Sequence, residues 1–200
     1  SDEERKIIGT SYKQESREKA IKYGLDYFGV KMRAMVEAAE EISKGFKPGT
    51  TTNNKTQTSN SLIVHCWRGG MRSSAVAWLL GFYGFEVFLL EGGYKSYRNW
   101  VLGQFEKEYQ LKILGGYTGS GKTETLHALE KSGQAVIDLE GLANHKGSAF
   151  GALGQPPQPS QEMFENLLAD SLKKNIEHDF WLEDESQRIG VLNIPHSFWK

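Results

Sequence analysis

Residues 111–131, Leu-Lys-Ile-Leu-Gly-Gly-Tyr-Thr-Gly-Ser-Gly-Lys-Thr-Glu-Thr-Leu-His-Ala-Leu-Glu-Lys, decide the fold of the second half of this chain. The apolar run 111–114 predicts a buried strand, the glycine-rich stretch 115–121 a loop, and 122–131 a helix. The loop fits the pattern G-x-x-x-x-G-K-[ST] at every fixed position, which is a phosphate-binding loop, or P-loop. Its predicted diphosphate-binding residues are Gly116, Tyr117, Thr118, Gly119, Ser120, Gly121, Lys122 and Thr123.

The chemistry of this loop follows from its donors. Its backbone amides wrap a diphosphate, Lys122 bridges the terminal phosphate oxygens, and Thr123 offers a hydroxyl to Mg²⁺. Because the loop binds phosphates rather than a base, ATP, GTP or another diphosphate ester would satisfy the same groups. Asp138, at the end of the next predicted strand, is a candidate metal contact through water, and a helix-cap role is as well supported.

A second strand-loop-helix unit carries the single cysteine of the chain. Residues 62–64 predict a strand, 66–72 a loop and 73–83 a helix. Such a loop directs backbone N–H groups inward, and the following helix adds the positive end of its dipole, which together favour an anion and a thiolate. We therefore expect Cys66 to be a catalytic nucleophile in an anion-binding loop made of Trp67, Arg68, Gly69, Gly70, Met71 and Arg72.

Two chemistries fit this cysteine loop from its residues alone. A rhodanese-type sulfurtransferase carries sulfur on the cysteine, whereas a His-Cys-x5-Arg-Ser/Thr phosphatase carries phosphate on it. His65, Cys66, Arg72 and Ser73 match the phosphatase pattern, and the five-residue spacing is one longer than the loop of simple rhodaneses. Both alternatives remain open at this stage.

The repeated strand-loop-helix order predicts an α/β protein with parallel sheets, in two domains at 1–109 and 110–200. Helical spacing of apolar residues predicts two helices at 15–27 and 30–43, and the polar run 47–61 predicts a mobile loop. The strand at 62–64 is expected to be followed by one at 86–90 and a helix at 94–108. The second domain adds strands at 135–139 and 180–183, a helix at 161–176 and a strand-like segment at 190–194.

Composition excludes several classes of protein. The 200 residues carry a formal net charge of −1 and 38% hydrophobic residues, so a disordered chain and a strongly basic nucleic-acid coat are excluded. No apolar run reaches the roughly 18 residues of a membrane span. A single cysteine cannot form an internal disulfide or supply a zinc site, so no dedicated metal site is expected. Because there is also no leader before Ser1, a cytoplasmic protein is expected.

The combined motifs resemble those of the bacterial tRNA 2-selenouridine synthases, which join a rhodanese domain to a P-loop domain. The resemblance covers about residues 2–199 and includes Cys66 to Ser73, Leu90 to Lys95, the P-loop, Asp138 to Ser148, and Glu183 to Ser186. It implies a truncated rhodanese-like domain followed by a partial P-loop NTPase-like domain. The chain would then be a fragment without the first rhodanese strand and without the latter part of the P-loop domain, and it is expected to be inactive if those segments are needed. Residues 50–61 look like an insertion, and Lys146 stands where the family pattern has arginine.

The resemblance also implies a function. A 2-thiouridine at the wobble position of tRNA would be geranylated on sulfur from geranyl diphosphate, and selenium from selenophosphate would then displace the S-geranyl group. The P-loop would hold the geranyl diphosphate, Cys66 would serve the selenium step, and Arg68 and Arg72 would face selenophosphate. The expected partners are tRNA and an enzyme that supplies selenophosphate, with no membrane. The alternatives are a Cys-x5-Arg phosphatase fused to a P-loop module and a nucleotide-switched anion-binding protein.

Three further groups of residues are candidates for contact with a ligand, metal or tRNA. His145 and Lys146, like Asp138, are candidate contacts to Mg²⁺ or ligand. A basic aromatic cluster is a candidate for tRNA contact, although aromatics at helical spacing also pack in cores: Tyr94, Lys95, Tyr97 and Arg98. The acidic run Glu183, Asp184 and Glu185 is a candidate for positioning metal or water, although such a run is usually a solvated face.

Overall fold

The computed structural model describes residues 1–43, 61–117, 119–148, 150–174 and 179–199. Of the predicted loop at 47–61, only Ser61 lies within the described residues, and it begins the first strand. The chain divides into two compact units, Ser1–Lys95 and Ser96–Lys200. The two predicted domains meet instead at residues 109 and 110.

The first unit contains three helices, a strand, a helix and a strand. The elements are α1 (Asp2–Gln14), α2 (Arg17–Gly29), α3 (Met32–Ser43), β1 (Ser61–Val64), α4 (Met71–Tyr83) and β2 (Glu86–Leu89). Strands β1 and β2 pair in parallel, with Leu62 opposite Val87. Ala39, Leu80 and Phe85 form the small core between α3, α4 and the strand pair.

Helix α1 is an element that the sequence pattern does not predict. Ser11 is the single buried residue of this helix, so it lacks the apolar stripe that marks a core helix. The missed feature is its start, where the Ser1 hydroxyl accepts from the Glu4 amide and the Glu4 carboxylate reaches back to the chain's first nitrogen. This capping box pairs the Glu4 amide, which a helix start otherwise leaves without a partner, and places the Glu4 carboxylate against the Ser1 ammonium.

The second unit is built on a parallel sheet. Helix α5 (Gly93–Gln104) begins just before the division, and Val101 together with Phe105 is buried in the core of this unit. The remaining elements are β3 (Leu111–Leu114), α6 (Lys122–Lys131), β4 (Ala135–Val136), α7 (Leu139–Ala143), α8 (Gln161–Lys174), β5 (Phe180–Glu183), β6 (Arg188–Ile189), β7 (Leu192–Asn193) and α9 (His196–Trp199).

Strand β5 lies between β3 and β4, and both pairings are parallel. Helix α8 packs against this unit's core through Phe164, Leu168 and Leu172, all fully buried. Because the carboxyl ends of parallel strands meet at one edge of a sheet, the loop after β3 and the residues after β5 are brought to the same edge. The prediction of an α/β protein with parallel sheets is confirmed.

Some predicted boundaries are wrong for local reasons. The strand predicted at 135–139 ends at Val136, because Asp138 caps helix α7 by accepting from the Gly141 amide at 2.7 Å. The strand-like segment 190–194 is instead the second half of an antiparallel hairpin of β6 and β7. The helix predicted at 94–108 ends at Gln104, and α4 starts two residues earlier than predicted, at Met71.

Among the described helices none is long and apolar enough to cross a membrane.

Candidate functional sites

The cysteine loop joins the end of β1 to the start of α4. Cys66 Sγ accepts hydrogen bonds from the Gly70 amide at 3.1 Å and the Ser73 hydroxyl at 3.4 Å. Burial raises the pKa of the Cys66 thiol, but the bonds from the Ser73 hydroxyl and from the amides of Gly70, Arg68 and Ser73 outweigh it and lower the pKa to about 6. Cys66 is therefore mostly thiolate at neutral pH, as a nucleophile requires.

Hydrogen bonds from the Ser73 hydroxyl and the loop amides account for this lowered pKa. Ser73 is 3% exposed, and its hydroxyl also lies 2.9 Å from the Gly70 carbonyl oxygen. It is absent from the predicted site residues, although its place next to Arg72 in the phosphatase pattern is the feature that points to it. Ser73 is thus a positioning group for the thiolate.

Residues after β2 hold the backbone of the cysteine loop by hydrogen bonds. The Tyr94 amide donates to the Cys66 carbonyl oxygen at 2.9 Å, and the Lys95 amide donates to that of Trp67 at 3.0 Å. Gly93, at φ +65°, makes this approach possible, because a Cβ there would overlap the Cys66 carbonyl oxygen and the Gly69 amide nitrogen. The Gly92-Gly93 turn is therefore part of the cysteine site.

A cavity of about 400 Å³ opens in front of the thiol. Arg72 lines it together with Arg5 of helix α1, a residue that the sequence analysis does not single out, whereas Arg68 is not among the lining residues. Trp67 also lines the cavity and is 52% exposed, while Met71 is 60% exposed. The site thus combines a thiolate, two guanidinium groups and an accessible aromatic ring.

The P-loop follows β3 as predicted, and Gly121 caps the start of α6. The Lys122 ammonium donates to the Gly116 carbonyl oxygen at 3.2 Å, and it lies 3.8 Å from a Glu185 carboxylate oxygen. Tyr117 is 92% exposed, and Gly116, Gly119 and Ser120 are exposed too. Thr118, a predicted contact, lies outside the described residues. The loop therefore presents its backbone to solvent, with the lysine folded over it.

Three carboxylates meet beside the P-loop lysine. Glu140, Glu183 and Glu185 each place an oxygen within 4.8 Å of the others' oxygens. The Thr123 hydroxyl donates to Glu140 Oε2 at 3.3 Å, and the Glu140 amide donates to Glu183 Oε1 at 3.3 Å. We call Glu140, Glu183 and Glu185 the carboxylate cluster.

Of the two interpretations of the acidic run, burial contradicts the solvated face, and the positioning of metal or water stays a prediction. Glu183 is 3% and Glu185 8% exposed, and only Asp184 between them is exposed. Burial, followed by the charge of Glu140, raises the pKa of Glu183 to about 7. Burial and the charge of Glu185 likewise raise the pKa of Glu140. Sequence reasoning missed Glu140, since a lone glutamate in the first turn of a short helix carries no motif.

The other candidate contacts near the P-loop are Asp138, His145 and Lys146. Asp138 caps α7, and its Oδ2 lies 3.5 Å from His127 Nε2. His145 is buried between loops, where a Cβ on either Gly151 or Gly190 would press on its ring. Lys146 is exposed and donates its amide to the Gly151 carbonyl oxygen. Their contact with a ligand stays a prediction.

The predicted tRNA cluster is divided by its contacts. Tyr94 packs its ring near those of His65 and Trp67, at centroid distances of 5.6 and 5.8 Å. Tyr97 reaches Asp170 and Arg98 binds Glu165, both on helix α8, so these two side chains are engaged inside the second unit. Contact of the cluster with tRNA stays a prediction. Lys95 is exposed.

Sequence comparison relates both halves of the chain to tRNA 2-selenouridine synthases. A sequence model of the tRNA 2-selenouridine synthase AAA domain matches residues 109–200. A tRNA 2-selenouridine synthase of Hydrogenovibrio crunogenus is 36% identical over 100% of this chain and 54% of its own length. Those of Nitrosomonas europaea and Proteus mirabilis are 36% and 38% identical, over 100% and 98% of this chain. The chain spans about half the length of the curated relatives it matches.

A solved structure is also similar to part of the chain. It is the N-terminal domain of a protein proposed to bind ATP or GTP, from Clostridium difficile 630. It is 35% identical, with a TM-score of 0.42, and the match covers 50% of this chain and 68% of that domain.

Proposed function

We propose that this chain, which is homologous along its whole length to tRNA 2-selenouridine synthases, carries the two reaction sites of such an enzyme. The observation that supports the proposal is that the aligned length includes both the P-loop and a cysteine loop whose thiol pKa is lowered to about 6. The reaction converts 2-thiouridine at the wobble position of tRNA to 2-selenouridine. Because this reaction transfers groups to tRNA, the enzyme is a transferase. Its two domains are a rhodanese-like domain and a P-loop domain.

The P-loop serves the first step. It binds the diphosphate of geranyl diphosphate through its backbone amides and Lys122. The sulfur of 2-thiouridine attacks C1 of the geranyl group, the C1–O bond breaks, diphosphate leaves with the electron pair, and the uridine loses its N3 proton. Lys122 stabilises the charge that develops on the leaving diphosphate.

The cysteine loop serves the selenium step. We assign to Arg72 and the loop amides the binding of selenophosphate, in the cavity before Cys66. The thiolate attacks phosphorus, the P–Se bond breaks, and hydroselenide leaves while Cys66 carries the phosphoryl group. Water then hydrolyses this phosphocysteine to phosphate and thiol. Hydroselenide adds at C2 of the S-geranyl uridine and its proton moves to N3. The C2–S bond breaks, and the geranylthiolate that leaves takes a proton from water.

Mass spectrometry of nucleosides tests the whole proposal. Because the chain spans about half of its relatives, it is tested within the Proteus mirabilis relative, where it replaces the matched segment. With 2-thiouridine tRNA and geranyl diphosphate we expect a geranyl mass gain that Lys122→Ala removes. Addition of selenophosphate should then exchange sulfur for selenium, and Cys66→Ser should block this exchange alone. A folded chimera in which neither variant changes the products would refute the proposal.

A phosphatase is the second candidate, and the Ser73 contact favours it. A hydroxyl within 3.4 Å of the sulfur is what the Ser/Thr after the arginine supplies in the His-Cys-x5-Arg-Ser/Thr pattern. A phosphatase would hydrolyse an aryl phosphate at a rate that Cys66→Ser abolishes, with no need for tRNA. Aryl phosphate turnover without any change in tRNA would replace the synthase with this candidate.

A further inference from the structure

Helix α1 brings a basic residue to the cavity in front of Cys66 from outside the cysteine loop. We call this cavity the cysteine cavity. Arg5 of α1 lines it together with Arg72 of α4, and none of the described residues that line it is acidic. Two guanidinium charges therefore face one thiolate charge, which leaves a surplus of positive charge for an anionic ligand.

The residue before Arg5 fixes the first turn of α1. The Lys31 ammonium, in the turn between α2 and α3, donates to both carboxylate oxygens of Glu4 at 2.6 Å. This hydrogen bond is the main cause that lowers the pKa of Glu4 to about 2, so Glu4 stays ionised at neutral pH. The contact ties α1 to the other helices of the first unit and thereby sets where Arg5 enters the cavity.

The Arg5 guanidinium is available to a ligand. Its Nη2 lies 3.1 Å from Asp2 Oδ1, in an ion pair whose side chains are 67% and 90% exposed. An ion pair this exposed contributes little, because water solvates both partners and the two side chains lose freedom when they pair. An anion in the cavity can therefore replace Asp2 as the partner of Arg5.

The two guanidinium groups define the class of ligand. Each presents a planar fork of N–H donors that matches two oxygens of one anion. A tetrahedral dianion such as phosphate or sulfate offers four oxygens and two charges, which suffices for both forks. Nitrate is planar and carries one charge, so it fully engages one fork only. The cavity volume of about 400 Å³ lies in the lower part of the range of about 300–1,000 Å³ for small-molecule sites.

We propose that Arg5 is a second anion-binding residue of the cysteine cavity, and that Arg5 and Arg72 together select a doubly charged tetrahedral oxyanion. The cysteine motif points to Arg68 and Arg72 for this task, but Arg68 does not line the cavity. Arg5 belongs to no motif and reaches the cavity from another helix. The contact serves selenophosphate and a phosphate ester alike, and only selenophosphate as the natural ligand rests on the proposed function.

The test measures how anions slow the alkylation of Cys66 by iodoacetamide at pH 8 in the 200-residue chain. We expect saturable protection by inorganic phosphate and by sulfate, and much weaker protection by nitrate. Arg5→Ala should raise the phosphate concentration for half-protection at least about tenfold, since a hydrogen bond between charged groups contributes about that factor to binding. The same variant should reduce the preference for sulfate over nitrate, which a merely structural role would leave unchanged.

Two variants of α1 serve as controls. Lys6→Ala removes the same charge from the next position, whose exposed side chain does not line the cavity, and should leave protection unchanged. Arg5→Lys keeps the charge without the fork, so it should retain part of the phosphate affinity. An alkylation midpoint near pH 6 without added anion shows that the cysteine loop is intact, because its hydrogen bonds to sulfur come from residues 68–73. If Arg5→Ala shifts this midpoint, Arg5→Lys takes its place.

Several outcomes would overturn the inference. Absence of saturable protection of the unaltered chain, equal protection of the Arg5 variant, or equal weakening by Lys6→Ala would each do so. Thiophosphate and phenyl phosphate identify the source of the anion: stronger protection by thiophosphate indicates a free anion such as selenophosphate, and stronger protection by phenyl phosphate indicates an ester. In either case Arg5→Ala should weaken it.

Failure of this inference and failure of the synthase proposal are distinguishable. The protection assay contains no tRNA, geranyl diphosphate or selenium, so its result does not depend on the reaction. The proposed selenium step requires only Arg72 and the loop amides for its anion, and it would stand if Arg5 had no part in binding.

Discussion

Removal of the Ser73 hydroxyl tests the origin of the reactive thiolate. Burial would raise the pKa of Cys66, and hydrogen bonds from Ser73 and three amides lower it from 9.0 to about 6. A hydrogen bond to a charged group contributes about 1.5 kcal/mol, which corresponds to about one pH unit. We therefore expect Ser73→Ala to move the pKa of Cys66 upward by about one unit while the amide bonds remain.

The rate of alkylation by iodoacetamide reports this pKa, and Cys66 is the only cysteine in the chain. With a pKa of about 6, the thiolate fraction rises from about 9% at pH 5 to about 91% at pH 7 and then levels. A thiol with a pKa of 9.0 would instead react about a hundredfold faster at pH 7 than at pH 5, without a plateau.

The matched control is Ser74→Ala. Ser74 is exposed, and its hydroxyl donates to the Gly70 carbonyl oxygen rather than to sulfur, so its loss should leave the midpoint unchanged. The chain unfolded in urea supplies the reference titration of a free thiol. If the rate of the folded chain rises steadily through pH 8, or if both serine variants shift the midpoint equally, the assignment of the lowered pKa to these hydrogen bonds is wrong.

Two further substitutions test the supports of the fold. Gly93→Ala should disorganise the cysteine loop and return the midpoint of alkylation toward that of a free thiol, because the added methyl group would overlap backbone atoms. The control is Gly70→Ala, whose methyl group has nothing within 4 Å and should leave the midpoint near pH 6. A midpoint near pH 6 in the Gly93 variant would contradict this prediction. Leu168→Ala should lower the free energy of unfolding, measured in urea, by about 2–5 kcal/mol, because Leu168 is fully buried. The control is Leu167→Ala, which should lower it much less because Leu167 is 38% exposed. Equal losses of unfolding free energy would contradict the described core.

The strands and helices next to the two motifs were predictable because local pattern and tertiary role agree there. The apolar runs at 111–114 and 180–183 give β3 and β5 without error, and the helix after the P-loop has the predicted bounds. Glycine-rich loops between apolar strands leave little choice of structure. Helix α1 was missed because its stability depends on capping and on packing against α2, and neither produces an apolar stripe.

The site was predictable only as far as it follows contiguous motifs. Cys66 and Lys122 were found because their loops are continuous in sequence. Glu140 and Glu183 come from positions 43 residues apart, and their approach depends on β5 lying between β3 and β4. No alternation or spacing in the sequence encodes that strand order. The same limit explains Ser73, whose neighbours suggested a pattern but whose burial against the sulfur needed the fold.

The two proposed anion sites lie under opposite local charge, and this difference predicts that Mg²⁺ affects ligand binding at only one of them. The cysteine cavity offers Arg5 and Arg72, so a phosphate-sized anion needs no metal there. The P-loop is flanked by the carboxylate cluster, whose charge repels a diphosphate until a cation offsets it. Inorganic phosphate should therefore slow alkylation of Cys66 equally with and without Mg²⁺, whereas binding of geranyl diphosphate, measured by calorimetry, should strengthen markedly when Mg²⁺ is added. Tight diphosphate binding in the presence of excess chelator would show that Lys122 and the loop amides suffice, and the carboxylates would then need another role.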